Sequence, residues 1–147
     1  MKKIIISIFA VVGSIVLIQF VLKSINHKSP FPIAGSAIYQ LGVLQDLLNR
    51  YEGIHKKLPI DLNELDSLAA QYKFSEVLKF KNPGTGTKSD WLYFAHPMDT
   101  SQGPVLVASP MIFTSENSEI KEFGKTGCRI ALLKGGEIKP IPANEFK

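Results

Sequence analysis

The sequence predicts an α+β protein: an N-terminal transmembrane helix, then an amphipathic helix packed on a small antiparallel sheet of about four strands. Three observations carry that prediction. Residues 4–22, IIISIFAVVGSIVLIQFVL, hold no charge. Between residues 37 and 51, apolar side chains recur at three- and four-residue steps. From Trp91 onward, short β-branched and aromatic runs alternate with turn residues.

The apolar run comes first. As a helix its 19 residues extend about 28 Å at about 1.5 Å per residue. That matches a hydrocarbon core about 30 Å thick. Ile4, Phe9, Val12, Ile15, Leu17, Phe20 and Leu22 supply the lipid-facing bulk of this membrane anchor. Gln19 is its one strongly polar side chain, and Ser7 and Ser14 can bond back to their own helix. A cleaved secretory signal is the alternative reading. The basic start fits it, but signal h-regions run about 7–15 residues, and no Ala-x-Ala-like site follows in FVLKSIN. Lys2, Lys3 and the amino terminus outweigh Lys23 and Lys28. The positive-inside rule therefore puts the N-terminus in the cytoplasm and the domain outside.

Charge and cysteine narrow the function classes. Three of the 17 basic residues, Lys2, Lys3 and Lys23, flank the apolar run; the remaining 14 face 13 acidic ones. A domain so nearly neutral carries no nucleic-acid footprint. Cys128 is the single cysteine, so neither an intramolecular disulfide nor a Cys-rich zinc site can form. It falls in the strand-like CRIALL, where a buried apolar role is expected.

Residues 1–23 are thus read as anchor, 24–35 as a Pro-containing linker and 36–147 as an extracytoplasmic α+β domain. Pro30 and Pro32 interrupt helix formation in the linker. Ser36 is the expected N-cap of the amphipathic helix. Its apolar stripe is Ala37, Ile38, Leu41, Leu44, Leu48 and Tyr51, with Leu47 alongside, and Gly53 suits the left-handed position past its end. Asp61-Leu62-Asn63-Glu64 has the form of a capping box opening a second, short helix with Leu62, Leu65, Leu68 and Ala69 inward. Phe74, Val77, Leu78 and Phe80 extend this as a further helical turn or an irregular apolar segment. Asn82-Pro83-Gly84-Thr85-Gly86 is turn chemistry. It lacks the Gly-Lys-Ser/Thr ending of a phosphate loop.

Strands are expected at Trp91–Ala95, Pro104–Ser109, Cys128–Leu133 and Glu137–Ile141. Residues 96–103 and 110–126 are loops, the second pinned by Met111, Ile112 and Phe113. Gly135-Gly136 signals a two-residue hairpin. Pro140 and Pro142 confine the last strand to an edge.

The residues that carry chemistry form no catalytic constellation. His27, His55 and His96 show no metal-ligand spacing, and Ser14 and Ser109 lack the Gly-x-Ser-x-Gly context. Asp90, Asp99 and Glu116 lack an EF-hand pattern and read as ordinary loop acids. No catalytic residue, metal site or cofactor is expected. Trp91, Tyr93 and Phe113 are the candidate partner surface; in a strand, Trp91 and Tyr93 share one face, and core packing is the competing reading.

Three stretches resemble the type IV pilin and type II secretion pseudopilin superfamily. LLNRYEGIHKKLPIDLNEL, residues 47–65, is similar to a helix ending in Tyr51, followed by Gly53, Leu58-Pro59 and a short Leu-rich helix. Asn82-Pro83-Gly84 before Trp91-Leu92-Tyr93 is similar to the turn into the first strand. RIALLKGGEI, residues 129–138, resembles the C-terminal hairpin where some pilin-like proteins read Asp-Gly-His-Val. The resemblance implies a non-enzymatic, single-pass subunit of a secretion or surface assembly at the bacterial inner membrane, with the membrane and protein partners or its own copies as partners.

The chain departs from the family in three places. Gly13 is followed by Ser14-Ile15-Val16-Leu17-Ile18, without the glutamate that the family's assembly uses. Pro30 and Pro32 divide the long helix, and Lys134-Gly135-Gly136-Glu137 replaces Asp-Gly-His. The alternatives are a free-standing envelope protein that binds a peptide, glycan or envelope protein, and a secreted domain released by signal cleavage.

Overall fold

The structure is a computed structural model and describes residues 33–146. The anchor residues Ile4, Phe9, Val12, Ile15, Leu17, Phe20 and Leu22 lie outside the described residues, as do Pro30 and Pro32. Among the described residues no helix is long and apolar enough to cross a membrane.

Helix α1 spans Ile33–His55 and α2 spans Asp66–Gln71. A two-stranded hairpin pairs β1, Phe80–Lys81, with β2, Lys88–Ser89. The main sheet is antiparallel and runs in chain order: β3 (Leu92–Met98), β4 (Val105–Ala108), β5 (Cys128–Leu133), β6 (Ile138–Pro142). The α+β class and a sheet of four strands are therefore as expected.

Helix α1 buries Ala34, Ala37, Leu41, Leu44, Leu47, Leu48 and Tyr51. They pack on Leu106, Val107, Cys128, Ile130 and Leu132 of the sheet. Each fully buried leucine contributes about 1.5–3 kcal/mol relative to exposure. Ile38 corrects the expected stripe. At about 100° per residue it sits a quarter turn from Ala37, and it is 43% exposed. Gln40 goes inward instead. Its Oε1 accepts from Lys81 N at 2.8 Å and its Nε2 donates to Lys81 O at 3.0 Å. One amide thus satisfies both backbone groups of a residue in β1 and ties the hairpin to α1.

Both ends of α1 differ from expectation. The helix already includes Ile33, so Ser36 lies inside it and caps nothing. At the other end Gly53 stays helical, and Lys56 takes the left-handed position with φ 58°. Lys56 N still donates to Glu52 O at 2.8 Å. Asp61 does cap, on a 3-10 turn over Leu62–Leu65, but not in the expected box: its Oδ1 accepts from Asn63 N at 2.7 Å, the second position rather than the third. Glu64 reaches back one residue further than expected, to Ile60 N at 2.9 Å.

The strands β4 and β5 are buried on nearly every position. Continuous VLVA and IALL runs, rather than alternation, already suit strands covered on both faces. Away from α1, Val105, Ala108, Ala131, Leu133 and Ile141 close a second cluster under Leu92, Phe94 and Phe146. A break in register between Val105 and Val107 lets Leu106 and Val107 both reach the α1 side. Strand β3 runs on through His96, Pro97 and Met98, which were expected to be loop. The β5–β6 connection has three residues, not two: Gly136 N donates to Leu133 O and Leu133 N to Glu137 O. Gly136, at φ 89°, supplies the left-handed step that such a bulged hairpin needs.

Candidate functional site

The aromatic residues at the start of β3 are built into the fold before they can serve any surface. Trp91 precedes the strand, is 5% exposed, and donates from Nε1 to Val77 O at 2.8 Å. Its ring meets Phe80 edge-on at 5.1 Å. Phe113 is fully buried and exchanges backbone hydrogen bonds of 2.8 and 2.9 Å with Cys128. Of the candidate partner surface, therefore, Trp91 and Phe113 are core residues. Burial of their large aromatic area accounts for both positions. Tyr93 is half-buried; its hydroxyl donates to Pro59 O at 2.6 Å and holds the 59–63 segment beside the strand.

Between those two pieces of chain lies a cleft of about 370 Å³. Ile60, Asp61, Leu62 and Asn63 wall one side; Leu78, Lys79, Asp90, Trp91 and Tyr93 wall the other. The capping turn explains the first wall, because Asp61 must face its own amides to start the 3-10 turn. The β1–β2 hairpin explains the second. Phe80 pairs with Ser89, which brings Lys79 opposite Asp90, and the two side chains form an ion pair.

The cleft is acidic. Among the described residues Lys79 is the one cation that lines it, and Asp90, Asp61 and Asp66 all act to hold it protonated, Asp90 most strongly through its hydrogen bond. Burial, with Glu64 adding, pushes the Tyr93 phenol up to about 12. Glu64 lies behind the first wall and accepts from the Tyr51 hydroxyl. That bond and the Ile60 amide hold its carboxyl below the ordinary range. The cleft thus presents the carboxyl groups of Asp61 and Asp90, an ammonium held protonated and a neutral phenol. Such a set suits recognition of a charged or hydrogen-bonding partner.

The other residues singled out from the sequence are scattered. His55 stacks on Tyr51 at 4.2 Å, His96 is exposed on β3, and His27 lies outside the described residues. Glu116 faces Lys125 at 3.6 Å, while Asp90 pairs with Lys79, so these loop acids do not converge. Among the described residues no three His, Cys, Asp or Glu side chains are grouped to hold a metal ion. Ser109 is buried, donating to Met111 O at 2.9 Å and accepting from Ile130 N at 3.1 Å, a structural role. Cys128 is buried, and desolvation, with Glu122 adding, pushes its thiol up to about 11.

Sequence reasoning missed Asp61, Lys79 and Ile60 as a site. Asp61 was legible only as a cap, and nothing local shows that residues 60–63 will face residues 90–93. No protein-family model, curated protein or solved structure matches the chain.

Proposed function

We propose that this chain is a membrane-tethered, non-enzymatic structural or accessory subunit, similar in design to the pseudopilins. Its domain lies outside the cytoplasm of a bacterial cell, at the inner membrane. One observation carries the reading: a 23-residue helix covers one face of a four-stranded antiparallel meander, and a charge-free run of membrane-spanning length precedes that helix in the chain. A helix laid on a meander buries one face of each and leaves the rest of the helix for neighbours. Ile38 and Tyr39, 43% and 69% exposed, lie on that free side.

Intact mass of the native protein in membrane and soluble fractions tests the tether. A full-length species held in the membrane is expected. A soluble product cut beyond Leu22 would replace this reading with that of a secreted domain. Assembly is tested by cross-linking in membranes. A ladder that disappears in the Ile15→Gln, Ile18→Gln double variant supports a subunit role, and a monomer throughout sinks it.

A second reading has its own observation. The family's glutamate is absent after Gly13, and the domain carries an acidic cleft. Both favour a free-standing envelope protein that captures a partner through the cleft.

A further inference from the structure

We propose that the outer edge of β3, where it borders the acidic cleft, takes up an extended basic peptide as an additional strand of the sheet. The inference concerns the domain alone and stands whether or not the tether is retained.

The sheet has two edges, and they are not equivalent. On β6, Pro140 and Pro142 remove two backbone donors, which blunts that edge against pairing. Edge β3 is irregular only in its second half. Between Tyr93 and Met98 its register against β4 breaks, and Pro97 lies there. The first half keeps a regular pairing, Leu92 opposite Ala108 and Tyr93 opposite Val107.

The direction of the backbone groups follows from the ladder. Ser109 N donates to Ile130 O, so Ser109 faces β5, and by alternation Val107 does as well. Ala108 must then face β3 and bond to Leu92. Tyr93, opposite Val107, turns its N–H and C=O away from β4. Among the described residues no backbone group outside the main sheet bonds to those of Tyr93. An unpaired edge of this kind is a template for a further strand.

The cleft lies at the same place. Tyr93 and Asp90 line it from the strand side and Ile60 and Asp61 from the other, so an added strand at the edge would run beside both walls. Charge then selects the peptide. Asp61 and Asp90 line the cleft, and Lys79, the one cation lining it among the described residues, is already paired to Asp90. Basic side chains are favoured and acidic ones repelled. Ile60, 74% exposed at the rim, offers an apolar contact to alternate positions of the same strand.

The test uses the full chain in a neutral detergent and a capped Val-Lys-Val-Lys-Val-Lys-Val peptide, held below its own aggregation concentration. Trp91 is the only tryptophan and lines the cleft, so its fluorescence reports occupancy. Saturable binding is expected, with slower amide exchange at Tyr93. Replacing every Lys of the peptide by Glu should abolish binding, and N-methylation at alternate residues should do the same by removing its donors. Asp61→Asn, which keeps the helix cap, should weaken binding by about 3-fold, the scale of one partly exposed charge pair. The proposal is overturned if no saturable binding occurs or if the Glu peptide binds equally. It is also overturned if the N-methylated peptide retains affinity or if exchange at Tyr93 is unchanged.

Discussion

Cys128 shows how far burial alone governs a side chain. An ordinary thiol ionises near about 8.5, whereas here desolvation lifts it to about 11. The thiolate is the reactive form, and this one is both rare and covered. Native protein at pH 8 should resist iodoacetamide, and the same reagent should label it at once in denaturant. Rapid native labelling, read by mass, would mean that β5 opens locally. Glu64 shows the opposite direction. Its carboxyl is held low by the Tyr51 hydroxyl and then by the Ile60 amide. A lowered folded-state value means stability that is fully present above the ordinary carboxylate pKa and lost as pH falls through the folded one. Acid titration below about pH 4.3 should therefore destabilise the native chain more than Glu64→Gln. Parallel acid-unfolding curves for the two proteins would contradict that assignment.

At the scale of elements, the end of α1 carries two mismatched residues. Gly53 is helical, with nothing within 4 Å of where a Cβ would sit, and Lys56 holds a positive φ. Glycine costs helix interiors up to about 1 kcal/mol relative to alanine, and a left-handed position favours glycine over lysine. Gly53→Ala and Lys56→Gly should each stabilise the domain by about 0.5–1 kcal/mol, measured as a shift in the urea midpoint. A loss from either would show that the helix ends at Gly53 in solution. The Gln40 amide is the second element-level device. Gln40→Ala strands both backbone groups of Lys81 and should cost about 1–3 kcal/mol. Its effect should appear first as faster amide exchange in β1. Equal exchange in the variant would mean that the hairpin is held by Trp91 and Phe80 alone.

At the scale of the whole domain, the helix-side core joins α1, the 3-10 turns and the sheet into one cluster. Trp91 reports one corner of it and Cys128 another. Their unfolding in urea should coincide with the loss of far-UV circular dichroism, as expected of one cooperative unit. Leu44→Ala should lower the common midpoint by about 2–5 kcal/mol of stability. Separate transitions for Trp91 and Cys128 would divide the hairpin side from the sheet.

Local pattern determined a good deal of this protein. The stripe from Leu41 to Tyr51, the cap at Asp61 and the CRIALL and PVLVAS runs each carry their own period, caps or turns, so α1, the first 3-10 turn, β4 and β5 were legible one at a time. The end of a helix was not: Gly53 and Lys56 are three residues apart, Gly53 lies inside α1, and Lys56 takes the left-handed position. Nor was the second apolar face of the sheet, because Phe94 and Phe146 meet over it from positions 52 residues apart in the chain. The cleft was the least legible part. Its walls come from residues 60–63 and 78–93, joined by Tyr93 reaching Pro59 and by a hairpin that pairs Phe80 with Ser89. Composition and periodicity record what each segment prefers by itself. Which segments face each other, and so which carboxylates share a cleft with an open strand edge, is a property of long-range packing that only the tertiary structure decides.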